Sequence, residues 1–411
     1  MRARAAAATW VIVLAAAIGS GCGGDSRPRD QLVRGRVLHV YSSLPWQGDL
    51  ADRSQDVQRA EQLALDRVHS RVGRFRVRLA GLDDSTPDPG GWNPNVVAAN
   101  ARRAAGDPRT IAYLGELDTG ASAVSIPTLN DRGILQLSPA DGLAGLTHVA
   151  GATRGEPAKY YPDPRRNFAR LAPPDDLQAE ALVEYMKEVG VRRLYIVNDG
   201  GGYGVALAER VGAIAAAQGV GVVANETVTA QGADYRGTSR RILAGAPDAF
   251  FFGGVAHDRV DALWVALNAA APALRLFAPS ALAVPDFTRR LGAAAASTYL
   301  IDITVPPRVQ PPAARAFAAE FRRLYGHAPD PYAVYGYEAM KAVLQAIRKA
   351  KRHGNDRRRV IDELFGMRRR GTVLGDYSID HRGDASLRSF GAYRVRHGAL
   401  AFDRLLTPAG G

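Results

Sequence analysis

Short runs of β-branched and aromatic residues alternate with longer amphipathic stretches along most of the chain. Strand-like runs cover residues 37–41, 75–80, 110–114 and 134–137, and then 194–197, 221–224, 249–252, 276–278 and 298–303. Between them, apolar residues fall at helical spacing. Val57, Ala60, Ala64 and Val68 form one stripe, widened by Leu63 and Leu65, and Phe317, Phe321 and Leu324 form another. Continuous apolar strands flanked by helices predict parallel sheets covered on both faces. The alternation occurs twice, with a break at residues 151–167 that is too rich in Pro and Gly for a core element. The pattern therefore predicts an α/β fold of two Rossmann-like lobes with a cleft between them. Ligands in such sheets sit beyond the carboxyl ends of the strands.

Length agrees with two lobes: 411 residues exceed one ordinary domain. With 46% hydrophobic and 23% charged residues, wholesale disorder is excluded. The net charge of +12 raises nucleic acid as a partner. Yet the basic residues are scattered over helix faces, as in Arg322-Arg323 and Arg357-Arg358-Arg359, without zinc-finger spacing or an RNA-binding aromatic motif. An Arg-biased surface near anionic lipid accounts for the charge equally well, and no nucleic-acid partner is expected.

Met1-Arg2-Ala3-Arg4 is a short cationic region, and residues 5–18 are an apolar run too short to span a bilayer comfortably. The run ends in Ile18-Gly19-Ser20-Gly21-Cys22, which resembles a bacterial lipobox, with Gly19 a departure from it. That implies a lipoprotein signal peptide at 1–21, a lipid on Cys22 and a membrane anchor there. An ordinary cleaved signal with an incidental cysteine is the alternative. Either reading exports the protein. Cys22 is the sole cysteine, so no internal disulfide can form. Residues 22–31, rich in Gly, Asp, Arg and Pro, read as a flexible tether.

The residues that follow each strand are the candidates for chemistry. After 110–114 comes Gly115-Glu116-Leu117-Asp118-Thr119-Gly120-Ala121-Ser122, where a hydroxyl beside helix N–H groups either holds an anion or caps the helix. After 134–137 comes Ser138-Pro139-Ala140-Asp141-Gly142, a turn whose N–H groups either face the cleft or belong to a plain loop. Asn198-Asp199-Gly200-Gly201-Gly202-Tyr203-Gly204 reads as a loop approaching a ligand with one aromatic wall, and it lacks the Gly-Lys-Ser/Thr of a phosphate loop. Gly253-Gly254-Val255 and Pro279-Ser280-Ala281 follow two later strands. No metal-binding His pair and no Gly-x-Ser-x-Gly elbow occurs, so an enzyme, a metal and a cofactor are not expected.

These segments, with Ser42-Ser43-Leu44-Pro45-Trp46-Gln47-Gly48, Phe168-Ala169-Arg170-Leu171-Ala172-Pro173-Pro174-Asp175-Asp176-Leu177-Gln178, Pro247-Asp248-Ala249 and Tyr335-Gly336-Tyr337-Glu338-Ala339, resemble in order the type 1 periplasmic-binding fold. Within it they resemble the Leu/Ile/Val-binding proteins of branched-chain amino acid ABC transporters, over nearly all of 33–405. The resemblance implies a three-crossover hinge, one lobe of 32–174 plus 304–391 and another of 175–303 plus 392–411. It implies that Thr119 bonds a ligand carboxylate, with the N–H groups of Ala140 and Gly142 completing the grip and the Ala140 carbonyl facing an ammonium. Tyr203 would be an aromatic wall, and Trp46, Gln47 and Gly48 would line a side-chain pocket. Three positions depart from the family: Gly142 where a hydroxyl is frequent, Ser280 where an acid pairs with the ammonium, and Val255 where an aromatic is frequent. Either the ligand is not a standard α-amino acid, or another acid such as Asp118 or Asp141 substitutes. The implied function is capture of a small polar ligand (an amino acid, or a related carboxylate or amide) for an ABC permease, outside the cytoplasm. A sensor serving a signalling receptor is the alternative.

Overall fold

The structure, a computed structural model, describes residues 31–87, 91–148, 154–228, 234–256 and 259–408. The expected export signal and Cys22 lie outside the described residues. The first sheet is built from β1 (Val37–Leu44), β2 (Arg71–Val72), β3 (Phe75–Asp83), β4 (Thr110–Leu114), β5 (Leu135–Ser138) and β6 (Phe168–Arg170), in the order β2-β3-β1-β4-β5-β6. Only β2 runs antiparallel to its neighbour. The second sheet contains β7 (Arg193–Asn198), β8 (Gly221–Thr227), β9 (Ala249–Gly253), β10 (Arg275–Ala278) and β11 (Thr298–Asp302). A short hairpin of β12 (Arg368–Thr372) and β13 (Gly375–Ser378) stands apart, and β14 (Phe390–Arg396) and β15 (Ala399–Leu406) complete the second sheet in the order β15-β14-β11-β10-β9-β7-β8.

The helices in chain order are α1 (Ala51–Asp66), α2 (Pro94–Gly106), α3 (Ser122–Asp131), α4 (Asp175–Glu188), α5 (Gly202–Ala217), α6 (Tyr235–Ala244), α7 (Asp261–Ala270), α8 (Pro285–Arg290), α9 (Pro312–Tyr325), α10 (Ala333–Lys349) and α11 (Arg357–Leu364). The stripe read from the sequence is the buried face of α1, where Val57, Ala60 and Ala64 pack toward α10. Gly336 makes that approach possible: a Cβ there would stand 2.8 Å from the Val57 carbonyl oxygen. In the second lobe Trp264 is fully buried among Phe250, Phe252 and Phe287, all edge-on at 5.1–5.8 Å between centroids.

The sequence pattern located nine of the strands but not β2, β6 or β12–β15. β6 is three residues long, and β12 reads Arg-Arg-Arg-Gly-Thr, so neither carries a periodic apolar signal. The Pro- and Gly-rich break reads in the sequence as the end of the first lobe and a crossing toward the second, but the crossing comes later. Residues 154–167 stay with the first lobe, where Tyr160 and Tyr161 pack with Ile126, Leu146 and Phe168. The passage to the second sheet comes after β6.

Arg170, at the end of β6, is fully buried and organises the region around that passage. Its guanidinium donates to Asp384 (2.7 Å), the Leu143 carbonyl (2.7 Å) and Thr147 Oγ1 (2.6 Å), while His148 meets the other Asp384 oxygen at 2.5 Å. Gly383 (φ +102°) lets this returning segment lie against the Phe168 backbone. Burial alone would raise the Asp384 carboxyl, but Arg170 and His148 hold it far below the usual carboxylate range. Because the folded pKa is depressed, its contribution is complete above about pH 4 and is lost only as pH falls through the depressed value. Arg170→Met should leave the buried Asp384 with His148 alone and cost about 3–5 kcal/mol, read by urea denaturation at pH 7. A loss under 1 kcal/mol would mean that the ion pair is not what secures this segment.

Candidate functional site

The loops that leave β4, β5, β7, β9 and β10 at their carboxyl ends converge on one crevice between the two sheets. Two adjoining cavities of about 590 Å³ each occupy it. Thr119, Asp175, Val255 and Trp92 belong to the walls of both. The first cavity is lined from the first lobe by Asp118, Ala140 and Gly142, and from the second by Ser280, Ala281 and Phe287. The second is lined by Gly201, Gly202, Tyr203 and Tyr160. Thr119, Ala140, Gly142, Ser280, Val255 and Tyr203 are thus brought together. Trp46 and Gln47 are not. Trp46 is 40% exposed, and its N–H donates to Asp83 at 3.0 Å. Gln47 is tied to Asp83 and Ser85. Gly48, expected with them, lines the cavity together with Leu50.

Asp141 builds the first-lobe wall. Its carboxylate accepts from the N–H groups of Gly120 (2.9 Å), Ser122 (2.9 Å) and Leu143 (3.1 Å), and so closes the start of α3 from a neighbouring loop. The capping that spacing allowed for Asp118, Thr119 or Ser122 falls instead to Asp141. Thr119 Oγ1 receives the Gly142 N–H at 3.4 Å, whereas the Ala140 N–H donates to Ser138 Oγ at 3.2 Å. The Ala140 N–H is therefore committed within its own turn. Asp199 stitches the second-lobe loops by accepting from Gly201 (2.8 Å) and Val255 (3.1 Å). Gly204 and Gly253 face one another so closely that a Cβ on either would come within 2.6 Å of the other's carbonyl oxygen. Two of the glycines in these runs thus serve packing of α5 on β9, while Gly201 and Gly202 line the cavity.

A family model described as periplasmic binding protein matches residues 43–396. The chain belongs to the periplasmic binding protein family. Its family is one of extracytoplasmic solute-binding proteins that serve ABC transporters, not of enzymes. The Leu/Ile/Val-binding protein BraC3 of Rhizobium johnstonii is 25% identical over 358 residues, 87% of this chain and 91% of that protein. The leucine-binding protein LivK of Thermotoga maritima superposes with a TM-score of 0.75 at 20% identity, over 90% of this chain and 99% of that one. A solute-binding protein of R. palustris, solved with benzoate, gives 0.72 at 16% identity, over 90% and 97%.

Two of the positions expected to depart from the family, Ser280 and Gly142, acquire a physical setting in the structure. Ser280 is not an open position: its N–H and hydroxyl both donate to Gln178 Oε1 at 2.9 Å. The Gln178 amide in turn donates to Asp175 Oδ1 (2.6 Å) and lies 3.4 Å from the Tyr203 hydroxyl. Asp175 opens α4, and its N–H donates to the Gly142 carbonyl at 2.8 Å. Its side chain stands where a residue 142 side chain would go, since a Cβ on Gly142 would lie 2.5 Å from Asp175 Oδ1. The absence of a side chain at residue 142 and the position of this carboxylate are two sides of one arrangement. Asp175 lies in the segment 168–178 that carries the resemblance, which implies no role for it, and its position at the start of α4 is the signal that could have singled it out.

Asp175 Oδ2 and Asp118 Oδ2 are buried and without a hydrogen-bond partner. Burial pushes both carboxyls up to about 7; Arg170 opposes the rise at Asp175 and Arg53 opposes it at Asp118. Arg53, over the Tyr332 ring at 4.1 Å and 3.6 Å from Asp330, supplies a cation on the same wall. Gly142→Ala should cost about 1–3 kcal/mol through its collision with Asp175. The cost should largely disappear in a chain that also carries Asp175→Ala, a coupling that a double-mutant cycle in urea measures. Additive effects would show that the two positions do not share this space.

Proposed function

We propose that this chain captures a small ammonium-bearing metabolite, an amino acid or close relative, in the interlobe crevice and presents it to an ABC permease by hinge closure. The lobes would be 32–174 with 304–391 and 175–303 with 392–411, and closure would trap the ligand between loops of both. The observation that carries the reading is the pair of partnerless buried carboxylate oxygens on Asp175 and Asp118. A buried carboxylate without a partner is costly, and a ligand cation removes the cost. Asp175 would take the place of the acid expected at Ser280. Thr119, the Gly142 N–H and Arg53 would receive the ligand carboxylate, with Tyr203 and Val255 on the second-lobe side. The Leu/Ile/Val in the names of sequence relatives supports an amino acid, while benzoate in a structural neighbour marks how far ligands on this fold diverge.

The pKa directions set the pH dependence. A carboxyl raised to about 7 when empty and ionised beside a bound ammonium must lose a proton on binding below pH 7. Affinity should then rise with pH up to about 7, by at most about tenfold per unit for each such group, and level off above it. Calorimetric titration of an amino acid panel, each member paired with its deaminated carboxylate, tests the ligand class. The ammonium-bearing member of one pair should bind and its deaminated partner bind at least tenfold more weakly. Asp175→Asn should weaken that binding at least tenfold at pH 8 and flatten the pH profile. Tight binding of a deaminated carboxylate such as benzoate, unaffected by Asp175→Asn, would overturn the proposal.

A further inference from the structure

A third cavity, of about 380 Å³, lies on the first lobe where the far ends of α1 and α10 meet the β12–β13 hairpin. Arg53, near the start of α1, lines the crevice, and Arg67, just past its end, lines this cavity. Arg53 and Arg67 are about 20 Å apart along the helix. Six cations surround the cavity: Arg67, Lys341, Arg348, Arg368, Arg369 and Arg370, and no carboxylate lines it. Two of the six are neutralised nearby. Arg67 pairs with Glu320, and the buried Arg369 pairs with the buried Glu338, which also accepts from Tyr377 at 2.9 Å. Among the described residues, no carboxylate lies within ion-pair distance of Lys341, Arg348, Arg368 or Arg370.

Like charges gathered around a concavity repel unless something intervenes. Burial, and after it Arg369 and Arg67, hold the Lys341 ammonium below its usual value against the pull of Glu338. The frame that carries the cations is rigid. Arg369 is fixed by Glu338 and Gln345, and its neighbours Arg368 and Arg370 on β12 are exposed and line the cavity. Guanidinium groups present planar forks that match phosphate oxygens two at a time, and the volume admits more than one phosphate-sized group.

From this arrangement we infer that the pocket is a second binding site, for a multivalent phosphate-bearing anion. The source is either a phospholipid headgroup or a soluble phosphorylated compound, since both present the same oxygens. The site is independent of the crevice ligand and of its chemistry. It also gives a local role to part of the excess positive charge of the chain.

The test uses the full chain, with pyrophosphate in calorimetry and vesicles of phosphatidylglycerol with phosphatidylcholine in co-sedimentation. The site variant carries Arg348→Ala, Arg368→Ala and Arg370→Ala, and circular dichroism verifies its fold. A control carries Arg236→Ala, Arg240→Ala and Arg289→Ala on the second lobe, an equal change of net charge. Pyrophosphate should bind the wild type and the control alike, and the site variant at least tenfold more weakly. Vesicle binding that the site variant loses and pyrophosphate competes away identifies a lipid headgroup; pyrophosphate binding without vesicle binding identifies a soluble compound. Equal weakening in the site variant and the control, or no binding of either probe to the wild type, would overturn the inference.

Discussion

A carboxylate withdrawn from water needs N–H groups, a cation or a proton, and the crevice of this protein is organised by which of its acids receives which. Asp141 is supplied with three backbone N–H groups, and it fixes the two first-lobe loops to one another and to the start of α3. Its lone pairs are spent on the fold. Asp175 has one amide donor, from Gln178, and a second oxygen with none; Asp118 likewise keeps a buried oxygen without a donor. Residues of the same chemical type, a few ångströms of backbone apart, are thereby divided between holding the site and being available to a guest.

Helix α4 joins these halves. Its first residue bonds through its N–H to Gly142 on the first lobe, and its second turn, through Gln178, holds Ser280 and approaches Tyr203 on the second. A change in the loop after β5 is therefore felt at the loop after β10 without passing through the sheets. The Gly142–Asp175 exchange follows the same logic. The bare backbone of residue 142 leaves room for the Asp175 carboxylate, and a Cβ added there would collide with it.

Much of this was legible in the sequence, for physical reasons that differ by element. β4 and β9 are buried on both faces and read as unbroken apolar runs, so the two parallel sheets followed directly. Thr119, Gly142, Tyr203 and Ser280 stand at strand ends, where topology alone brings loops together. Asp175 did not stand out, because an acid in the first turn of a helix is ordinary by itself. Its significance lies in the empty space beside Gly142, which is a tertiary fact. Trp46 and Gln47 were misplaced for the converse reason: Asp83 and Ser85 draw the start of that loop onto the end of β3, and no local pattern announces so distant a partner.

The first lobe is also polarised from end to end. At the crevice, α1 presents Arg53 among Asp118, Asp302 and Asp330, a neighbourhood with more acids than bases. At its other end, the same helix with α10 and β12 gathers six cations around a cavity without an acid. The carbonyl ends of α1 and α10 favour cations, but each amounts to about half a unit charge and acts within one turn. They offset only a fraction of what surrounds them. Arg369 shows what full compensation requires here: a buried Glu338, itself bonded to Tyr377, with Gln345 alongside. Arg348, Arg368 and Arg370 have no such arrangement, so their charge around the cavity they line is not offset by a carboxylate among the described residues.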